Sequence, residues 1–435
     1  MTFSEICVLG LGYIGLPTAS TLASHGAKVL GVDINAATVE TLRQGRIHLT
    51  EPGLLETYKA ALASGNLRLA TEPAGADAYI IAVPTPFHEG RSGEVNGQQY
   101  KLADMEAVTS AARSIVPFLK KGNLVVLEST SPPRTTVDLV APILEESGLV
   151  AGSDFHLAYS PERVLPGQIL RELTENARVI GGVTPESAQV AASLYSIFVR
   201  GQIFQTDATT AEFVKLMENT YRDTNIAIAN EFTRLADRFG VDAWEGIALA
   251  NRHPRVKILD PGPGVGGHCI SVDPWFLVES APELTPLILA ARQVNDSQPG
   301  FVVEVMHRAL GELRGKKIAA LGLAYKPNVD DVRESPAAGV VRLLQANGAI
   351  VKAWEPFKPE AALPGVTMAA SMDAALIDAE VILLLVAHTT FTSLKPDAIV
   401  DRTRARILVD TVNGWQPNEW REAGFRLVRL GGVNT

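Results

Sequence analysis

The sequence predicts an α/β protein with two Rossmann-like, doubly wound parallel-sheet domains joined by a helical middle domain with one long central helix. In the first and last parts of the 435-residue chain, short apolar runs alternate with helix patterns, as in parallel sheets covered on both faces. Between them, segment 207–239 lacks proline and glycine and repeats apolar residues at helical spacing. The predicted domains are 1–206, 207–314 and 315–435.

The individual elements follow from the same patterns. In the first domain, continuous apolar runs predict buried strands at 6–9, 28–32, 78–83, 124–127 and 155–158. Helices are predicted between them at 17–25, 36–44, 104–118 and 135–146. In the last domain the predicted strands are 318–321, 350–354, 381–386 and 407–409, with a helix at 337–345. The helix at 207–239 far exceeds the usual length of about 11–12 residues, so it is expected to form the spine of the middle domain.

The composition excludes several classes of protein. A formal net charge of −9 argues against a general binder of nucleic acid or anionic membranes. The apolar run 381–387 is too short to cross a bilayer. Two cysteines, Cys7 and Cys269, are too few for a disulfide framework or a zinc site, and His253 and His268 have no partners at metal-ligand spacing. We therefore expect a cytoplasmic protein with no membrane insertion and no metal.

A glycine-rich turn follows the first predicted strand. Gly10, Gly12 and Gly15 form the pattern Gly-x-Gly-x-x-Gly directly before a predicted helix. Such a turn lets a pyrophosphate approach the backbone at the helix N-terminus. Asp33 ends the next strand, where a carboxylate accepts hydrogen bonds from ribose hydroxyls and repels a 2′-phosphate. The pattern favours NAD over NADP, and the alternative is a turn with a structural role alone.

A second glycine-rich segment leads into a thiol. Residues 262–267 contain four glycines and are followed by Cys269, then by Asp273 before an apolar helix pattern. Glycine lets a substrate approach the backbone closely, and a thiol near a helix N-terminus can be activated as a nucleophile. The alternatives are an inert buried cysteine and an Asp273 that only caps the helix. Cys7, inside the first strand, is expected to have no chemical role.

Polar side chains cluster at predicted strand ends and on the long helix. Thr85 and Thr130 follow strands whose carboxyl ends bind ligands in open α/β sheets, although both loops contain proline and their hydroxyls also suit caps. The long helix places three polar residues on one face, and two basic groups occur at 251–255 and 326–333. In an acidic protein these groups indicate an anion site such as one for a diphosphate, with a solvated surface as the alternative. The three helix residues are Lys215, Asn219 and Arg222.

Taken together, these segments resemble the UDP-glucose/GDP-mannose dehydrogenase family, the nucleotide-sugar 6-dehydrogenases, over almost the whole chain. The matching motifs are Gly10-x-Gly12-x-x-Gly15, Ser129-Thr130, Ser160-Pro161-Glu162, Ala211-Glu212-x-x-Lys215-x-x-x-Asn219, Gly266-Gly267-His268-Cys269 and Arg333-x-Ser335-Pro336. Segments 159–167, 251–255 and 262–276 are most similar to members that oxidise UDP-N-acetyl-D-mannosamine. UDP-N-acetylglucosamine and UDP-glucose are the alternative substrates. Segment 410–415 departs from relatives that carry a lysine there, so no role is transferred to it.

The resemblance implies roles for three sets of residues. The catalytic set is Cys269, Lys215, Asn219, Asp273, Thr130 and Glu162. The NAD set is Gly10, Gly12, Tyr13, Ile14, Gly15, Asp33, Thr85 and Thr130. The set for the UDP-sugar is Arg163, Val164, Lys215, Asn219, Arg222, His253, Arg255, Gly266, Tyr325, Lys326 and Arg333. The resemblance also implies a homodimer formed through 207–239 and a place in polysaccharide biosynthesis of the cell envelope.

The implied reaction is a four-electron oxidation of the sugar C6 alcohol to a carboxylate with two NAD molecules. The Cys269 thiolate would capture the intermediate aldehyde as a thiohemiacetal, and the second oxidation would leave a thioester that water hydrolyses. The positive charge of Lys215 would stabilise the developing alkoxide. Two other functions are compatible with parts of the sequence. They are a hydroxy-acid dehydrogenase, which needs one hydride transfer and no thiol, and a non-catalytic sensor of NAD or nucleotide sugars.

Overall fold

The computed structural model describes residues 3–49, 51–267 and 269–433, which fall into two compact units. The first unit extends to Glu218 and includes Trp275–Leu284, and the second comprises Asn219–Pro274 and the chain from Thr285 onward. His268, which belongs to the predicted glycine–cysteine loop, lies outside the described residues. Within the described ranges, no helix has the length and apolar character that a membrane span requires.

The first unit contains a large sheet and a separate hairpin. Its strands are β1 (Ile6–Leu9), β2 (Val29–Val32), β3 (Leu67–Ala70), β4 (Ala78–Ile81), β5 (Phe87–Val95), β6 (Gln98–Ala103), β7 (Leu124–Leu127), β8 (His156–Tyr159), β9 (Arg178–Gly182) and β10 (Ile203–Asp207). The sheet order is β10-β9-β8-β7-β4-β1-β2-β3, and β5 pairs with β6 alone. The doubly wound α/β fold is confirmed, but the sheet is not wholly parallel because β8 and β9 run antiparallel.

The central strands are apolar along their whole length because both faces of the sheet are covered. In β1, Ile6 and Val8 belong to one hydrophobic core, whereas Cys7 and Leu9 belong to the core on the other face. All four residues are buried. Because both cores hold β1, the turn that follows its carboxyl end starts from a fixed point in the sheet.

In the described part of this unit, the sheet is accompanied by the helices α1 (Gly15–Ser24), α2 (Ala36–Arg43), α3 (Leu54–Ala63), α4 (Glu106–Ile115), α5 (Ala141–Glu145), α6 (Ile169–Glu175) and α7 (Pro185–Tyr195). Two predicted helices are divided in the structure. The first ends as α4 and continues as a 3₁₀ turn at Val116–Phe118, where Pro117 lacks a backbone donor. The second begins as a π-helical segment at Thr135–Val140 and continues as α5.

The chain between the two sheets is helical, with α8 (Ala208–Phe239), α9 (Ala243–Ala250), α10 (Asp273–Ser280) and α11 (Pro286–Leu310). Helix α8 has 32 residues, close to the predicted 207–239. That α8 is the single long helix of this region is not confirmed, because α11 is also long, with 25 residues. The sequence signal for α11 was obscured by Pro299, which is followed by Gly300 in the middle of the helix, a pattern that normally marks a helix end.

The second unit contains a wholly parallel sheet. Its strands are β11 (Lys317–Leu321), β12 (Ile350–Trp354), β13 (Val381–Leu384), β14 (Ile407–Asp410) and β15 (Arg426–Arg429), in the order β12-β11-β13-β14-β15. Its later helices are α12 (Pro336–Ala346), α13 (Met372–Leu376), α14 (Thr389–Thr392) and α15 (Pro417–Glu422). The second predicted α/β sheet is therefore confirmed, with β15 as an additional strand.

Candidate functional site

The three glycines after β1 serve different purposes. Gly10 has φ +91°, and a Cβ there would lie 2.5 Å from the Ala82 carbonyl oxygen. A Cβ on Gly15 would lie 1.8 Å from the Gly10 oxygen, so both positions are fixed by the fold. A Cβ on Gly12 would meet nothing within 4 Å. The turn is therefore open at Gly12, as close approach by a pyrophosphate requires, and Tyr13 and Ile14 lead from it into α1.

The Asp33 carboxylate is oriented by the backbone at the end of β2. Its Oδ2 accepts from the Leu11 N–H at 3.0 Å, and its Oδ1 accepts from the Asn35 N–H at 2.9 Å. The residue is only half-buried, and each oxygen retains a lone pair for a further donor. The open turn and this carboxylate fit the pyrophosphate and the ribose of NAD.

The predicted NAD-binding loops after β4 and β7 are tied together. The Thr85 hydroxyl donates to the Thr130 carbonyl oxygen at 2.8 Å, and the Ser129 hydroxyl donates to the Val83 carbonyl oxygen at 2.7 Å. The structure therefore brings Thr85 and Thr130 to one place at the carboxyl edge of the sheet. The hydroxyl of Thr85 retains its capacity to accept a hydrogen bond.

Glu162 and Lys215 form a buried pair of ionisable groups in the first unit. Only 6% of each residue is exposed. Burial raises the pKa of Glu162 to about 7, although the positive charge of Lys215 and a hydrogen bond from the Val164 N–H oppose the rise. A carboxyl that is about half ionised near neutral pH is suited to accept and return protons.

A second buried network adjoins this pair and was not predicted from the sequence. Arg178 donates to Glu128 Oε1 at 2.6 Å and to the Ser160 hydroxyl at 2.8 Å. The Tyr195 hydroxyl donates to the same Glu128 oxygen at 2.7 Å, and the guanidinium lies 3.9 Å from the centre of the Tyr195 ring. The charge of Arg178 lowers the pKa of Glu162, and that of Glu128 raises it. The sequence signal for this network was Arg178 at the start of β9, because a charged residue next to buried strand residues needs a partner.

Arg163, a predicted substrate residue, already has an acidic partner. Its Nε and Nη2 donate to the two carboxylate oxygens of Glu218 at 3.0 and 2.5 Å, and its Nη1 donates to the Ala177 carbonyl at 3.1 Å. The guanidinium is thereby held in one orientation. A substrate anion that binds Arg163 has to share or displace Glu218.

In the second unit, Cys269 lies on a hydrogen-bonded turn that leads to Asp273. The cysteine is exposed, and its carbonyl oxygen accepts from the N–H groups of Val272 and Asp273 at 3.0 and 2.8 Å. Asp273 is buried, and its Oδ2 accepts from the Asn219 side-chain amide at 2.5 Å. The structure therefore joins the predicted catalytic residues Asn219 and Asp273 and holds the exposed thiol in the turn, four residues before Asp273.

The glycines before Cys269 are required by close packing against the loop after β11. A Cβ on Gly266 would lie 2.4 Å from the Glu334 carbonyl oxygen and 3.1 Å from Tyr325 Cβ. Gly267 has φ +86°, and a Cβ there would lie 2.8 Å from the Tyr325 ring. Since Arg333 precedes Glu334, three predicted substrate positions, Gly266, Tyr325 and Arg333, belong to one locality.

Arg333 is held in place by a neighbouring carboxylate. Its Nε and Nη2 donate to Asp331 Oδ1 and Oδ2 at 2.8 and 2.7 Å, a bidentate geometry that fixes the plane of the guanidinium. Lys326 lies half-buried on the same loop. His253 and Arg255 lie on an exposed turn after α9, where the Arg255 N–H donates to His253 Nδ1 at 3.4 Å.

Three further predictions concern Arg222, metal binding and Cys7. Arg222 is exposed on α8. Among residues 3–49, 51–267 and 269–433, no group of three histidine, cysteine, aspartate or glutamate side chains has the arrangement of a metal site. Cys7 is buried, and desolvation raises its pKa to about 12, so this thiol stays protonated at physiological pH.

Comparison with known proteins gives the same family as the sequence motifs. Three domains of the UDP-glucose/GDP-mannose dehydrogenase family match the chain: the NAD binding domain at 4–199, the central domain at 209–297 and the UDP binding domain at 319–417. The chain is 45% identical over 432 residues to a UDP-N-acetyl-D-mannosamine dehydrogenase from Methanococcus maripaludis, covering 98% of this chain and 97% of the relative. It is 48% identical over 423 residues to an NDP-N-acetyl-D-galactosaminuronic acid dehydrogenase from Ralstonia solanacearum, covering 95% and 96%.

A solved structure is also similar over the whole chain. The UDP-D-ManNAc dehydrogenase from Pyrococcus horikoshii superposes with a TM-score of 0.89 at 38% identity, covering 99% of this chain and 100% of that one. The three-domain α/β architecture predicted from the sequence is thus confirmed.

Proposed function

Because the chain belongs to the UDP-glucose/GDP-mannose dehydrogenase family, we propose that it oxidises UDP-N-acetyl-D-mannosamine to UDP-N-acetyl-D-mannosaminuronate and reduces two NAD molecules per sugar. The observation that carries this proposal is the exposed Cys269 thiol on a turn whose buried Asp273 is hydrogen-bonded to Asn219. A hydroxy-acid dehydrogenase or a sensor needs no such nucleophile. The names of the Methanococcus and Pyrococcus relatives support the choice of sugar.

The open glycine turn, Asp33, Thr85 and Thr130 would hold NAD. When bound, NAD accepts a hydride from the sugar C6 in each oxidation. The backbone around Gly12 leaves room for the pyrophosphate. The Asp33 carboxylate, already oriented by two backbone N–H groups, would accept from the ribose hydroxyls.

Cys269 would keep the aldehyde bound between the two oxidations. Its thiolate sulfur adds to the aldehyde carbon, and the new C–S bond persists as a thiohemiacetal and then as a thioester. Attack by water on the thioester breaks the C–S bond, which releases the carboxylate and returns the thiolate. The hydrogen bonds from Val272 and Asp273 to the Cys269 carbonyl keep the turn in one conformation during this sequence.

Lys215 and Glu162 would handle charge and protons. The Lys215 ammonium stabilises the oxyanion that develops on the substrate. Glu162, with a pKa of about 7, takes a proton from the attacking water and returns it to solvent. The positive charge of Lys215 lowers the pKa of Glu162 and so favours the ionised carboxylate that accepts the proton.

The remaining predicted residues would bind the nucleotide sugar. Tyr325, Lys326, Arg333 and Gly266 would hold the UDP portion, with Arg163, Val164, Arg222, His253 and Arg255 as further contacts. The domain boundaries that we propose are 1–206 for NAD, 207–314 for the central domain and 315–435 for UDP, and the three family matches support them. We also propose a cytoplasmic location, where the thiol stays reduced.

An apolar stripe on α8 supports a homodimer. Five large apolar residues recur at helical spacing and are all exposed: Tyr221, Ile228, Phe232, Leu235 and Phe239. An exposed stripe of this kind is typical of a helix that packs against a partner. In light-scattering measurements, Phe232→Asp is expected to shift the mass from dimer to monomer, whereas the exposed Glu245→Gln variant on α9 should remain dimeric. A monomeric wild-type protein would contradict the proposal.

The function is tested by measuring NADH formation with several nucleotide sugars side by side. We expect the highest kcat/KM with UDP-N-acetyl-D-mannosamine among a panel that also contains UDP-N-acetylglucosamine, UDP-N-acetylgalactosamine, UDP-glucose and GDP-mannose. Complete conversion should yield two NADH per sugar. The galacto-configured sugar is included because of the Ralstonia relative.

Two outcomes would contradict the proposal. Tight binding of the sugars without any NADH would indicate a sensor. Normal conversion to the acid by Cys269→Ala would exclude the covalent route, because that variant lacks the sulfur on which the thioester forms.

A further inference from the structure

The second sheet repeats the local geometry of the first around its first strand. In the first unit, the Gly10 N–H donates to the Val32 carbonyl at 2.8 Å, and in the second the Gly322 N–H donates to the Trp354 carbonyl at 2.9 Å. Both glycines have φ +91°. The strand order β2-β1-β4-β7 of the first sheet corresponds to β12-β11-β13-β14 of the second. Glu355, directly after β12, therefore occupies the place that Asp33 occupies after β2.

The two carboxylates are used differently. Asp33 is half-buried, whereas Glu355 is completely buried. Glu355 Oε2 accepts from the N–H groups of Leu323 and Ala324 at 2.7 and 2.9 Å, and Oε1 accepts from the Phe357 N–H at 3.0 Å. A fourth hydrogen bond comes from a histidine, so the carboxylate has four partners inside the protein. Because Glu355 is completely enclosed, its carboxylate is not open to a ribose.

The fourth partner is His388, which is also completely buried. Its Nδ1 accepts from the Asn328 N–H at 2.8 Å, so the ring proton lies on Nε2, which donates to Glu355 Oε2 at 3.1 Å. Asn328 adopts φ +60°, and its side chain exchanges two further hydrogen bonds with Thr389 at 2.9 and 3.0 Å. The histidine thus connects the carboxylate to the far end of the loop after β11.

These contacts hold segment 323–328 at both ends. Glu355 binds its first two N–H groups, and His388 binds the N–H of its last residue. Between them lie Tyr325 and Lys326, which the proposed function assigns to the nucleotide. Tyr325 also packs against Gly267, so a displaced loop would disturb the turn before Cys269.

We propose that Glu355 and His388 are positioning residues that preorganise the 323–328 loop for the uridine diphosphate portion of the substrate. The inference rests on the proposed function, because it assigns UDP to this loop. Neither side chain touches the ligand in this role. Each acts by fixing backbone groups, which lowers the ordering cost that binding would otherwise carry.

Two substitutions at His388 divide the network into its two halves. His388→Asn retains an acceptor near the position of Nδ1 and loses the donor to Glu355, whereas His388→Gln retains a donor near the position of Nε2 and loses the acceptor. Titration calorimetry with UDP gives the affinity, and steady-state rates give KM for the UDP-sugar and for NAD. We expect the Kd for UDP and the KM for the sugar to rise about tenfold in each variant, since a preorganising hydrogen bond is lost. KM for NAD should stay within about twofold, as should every constant in the control His307→Gln.

If the substitutions at His388 prevent folding, a variant at the protein surface tests the same proposal. Thr389 is exposed, and Thr389→Val removes its hydroxyl bond to Asn328 without disturbing the core. It should raise the Kd for UDP about twofold to fivefold. An unchanged Kd in the folded variants, or equal rises of KM for NAD and the sugar, would overturn the inference. Failure of the wild type to bind UDP or oxidise any UDP-sugar would instead refute the proposed function, and the inference with it.

Discussion

Replacing Glu162 with glutamine tests whether burial of the proposed catalytic carboxyl lowers the free energy of unfolding. The side chain is 6% exposed, and burial raises its pKa from the ordinary value of 4.5 to about 7. Glutamine has nearly the same shape as a protonated glutamate and carries no charge at any pH. Glu162→Gln therefore mimics the form of the residue that the buried site prefers.

The sign and size of the effect follow from linkage between protonation and folding. Between pH 4.5 and about 7 the folded protein retains a proton that the unfolded chain has lost, so stability falls as the pH rises through this window. Above pH 7 the carboxyl is ionised in both states and the full cost is present. The difference between 4.5 and about 7, at about 1.4 kcal/mol per pH unit, corresponds to about 3 kcal/mol.

Calorimetric melting of the NAD-free protein measures this cost. At pH 8 we expect Glu162→Gln to melt about 6–12 °C above wild type, for a cooperative unit of roughly 200 residues. At pH 5 the advantage should shrink to about a quarter, since most of the wild-type carboxyl is then protonated. Turnover should fall at both pH values, so the variant would be more stable and less active, as expected for a strained functional group.

The control is Glu72→Gln, which removes an exposed carboxylate from the same unit and should give no pH-dependent change. A melting difference that is the same at pH 5 and pH 8 would refute the linkage argument. A Glu162→Gln protein less stable than wild type at pH 8 would show that the ionised pair with Lys215 is net stabilising, which contradicts the direction of the pKa shift.

The remaining predictions concern the glycine turn and the two thiols. Gly12→Ala should leave the melting temperature unchanged but raise KM for NAD about tenfold or more, because only the ligand occupies that space. Gly15→Ala should instead lower the melting temperature by several degrees, since its Cβ would lie 1.8 Å from the Gly10 oxygen. Iodoacetamide should modify Cys269 in the native protein and Cys7 only after unfolding, as peptide mass spectrometry would show; native labelling of Cys7 would contradict its burial.

The sequence predicted the parts of the fold that depend on local patterns. Strand β1 was evident because all four of its residues are apolar and lie between two cores. Strand β9 was missed because it begins with Arg178 and ends with two glycines. The burial of Arg178 becomes acceptable only through Glu128, which is 50 residues away in the chain. No local window contains that partner.

The same distinction applies to the site. Glycines and a cysteine in an unusual spacing were visible in the sequence, so a turn that admits a pyrophosphate and a nucleophilic Cys269 were predicted. The hydrogen bond between Asn219 and Asp273 joins residues 54 positions apart in the chain. The pKa of Glu162 depends on its burial in the folded protein. Neither follows from residue types alone.

The pair of carboxylates after β2 and β12 shows why fold geometry and ligand preference have to be argued separately. Each acid directly follows the second strand of its unit's α/β sheet, and both bind the backbone of the turn after the first strand. Asp33 binds one N–H of its turn and remains half-buried, so its charge is available to a ligand. Glu355 is one methylene longer, binds two N–H groups and a buried histidine, and is completely enclosed. On the roles proposed above, the acid of the first sheet would serve recognition of the cofactor, whereas the acid of the second would keep a loop rigid, and the side chains on that loop would recognise the nucleotide.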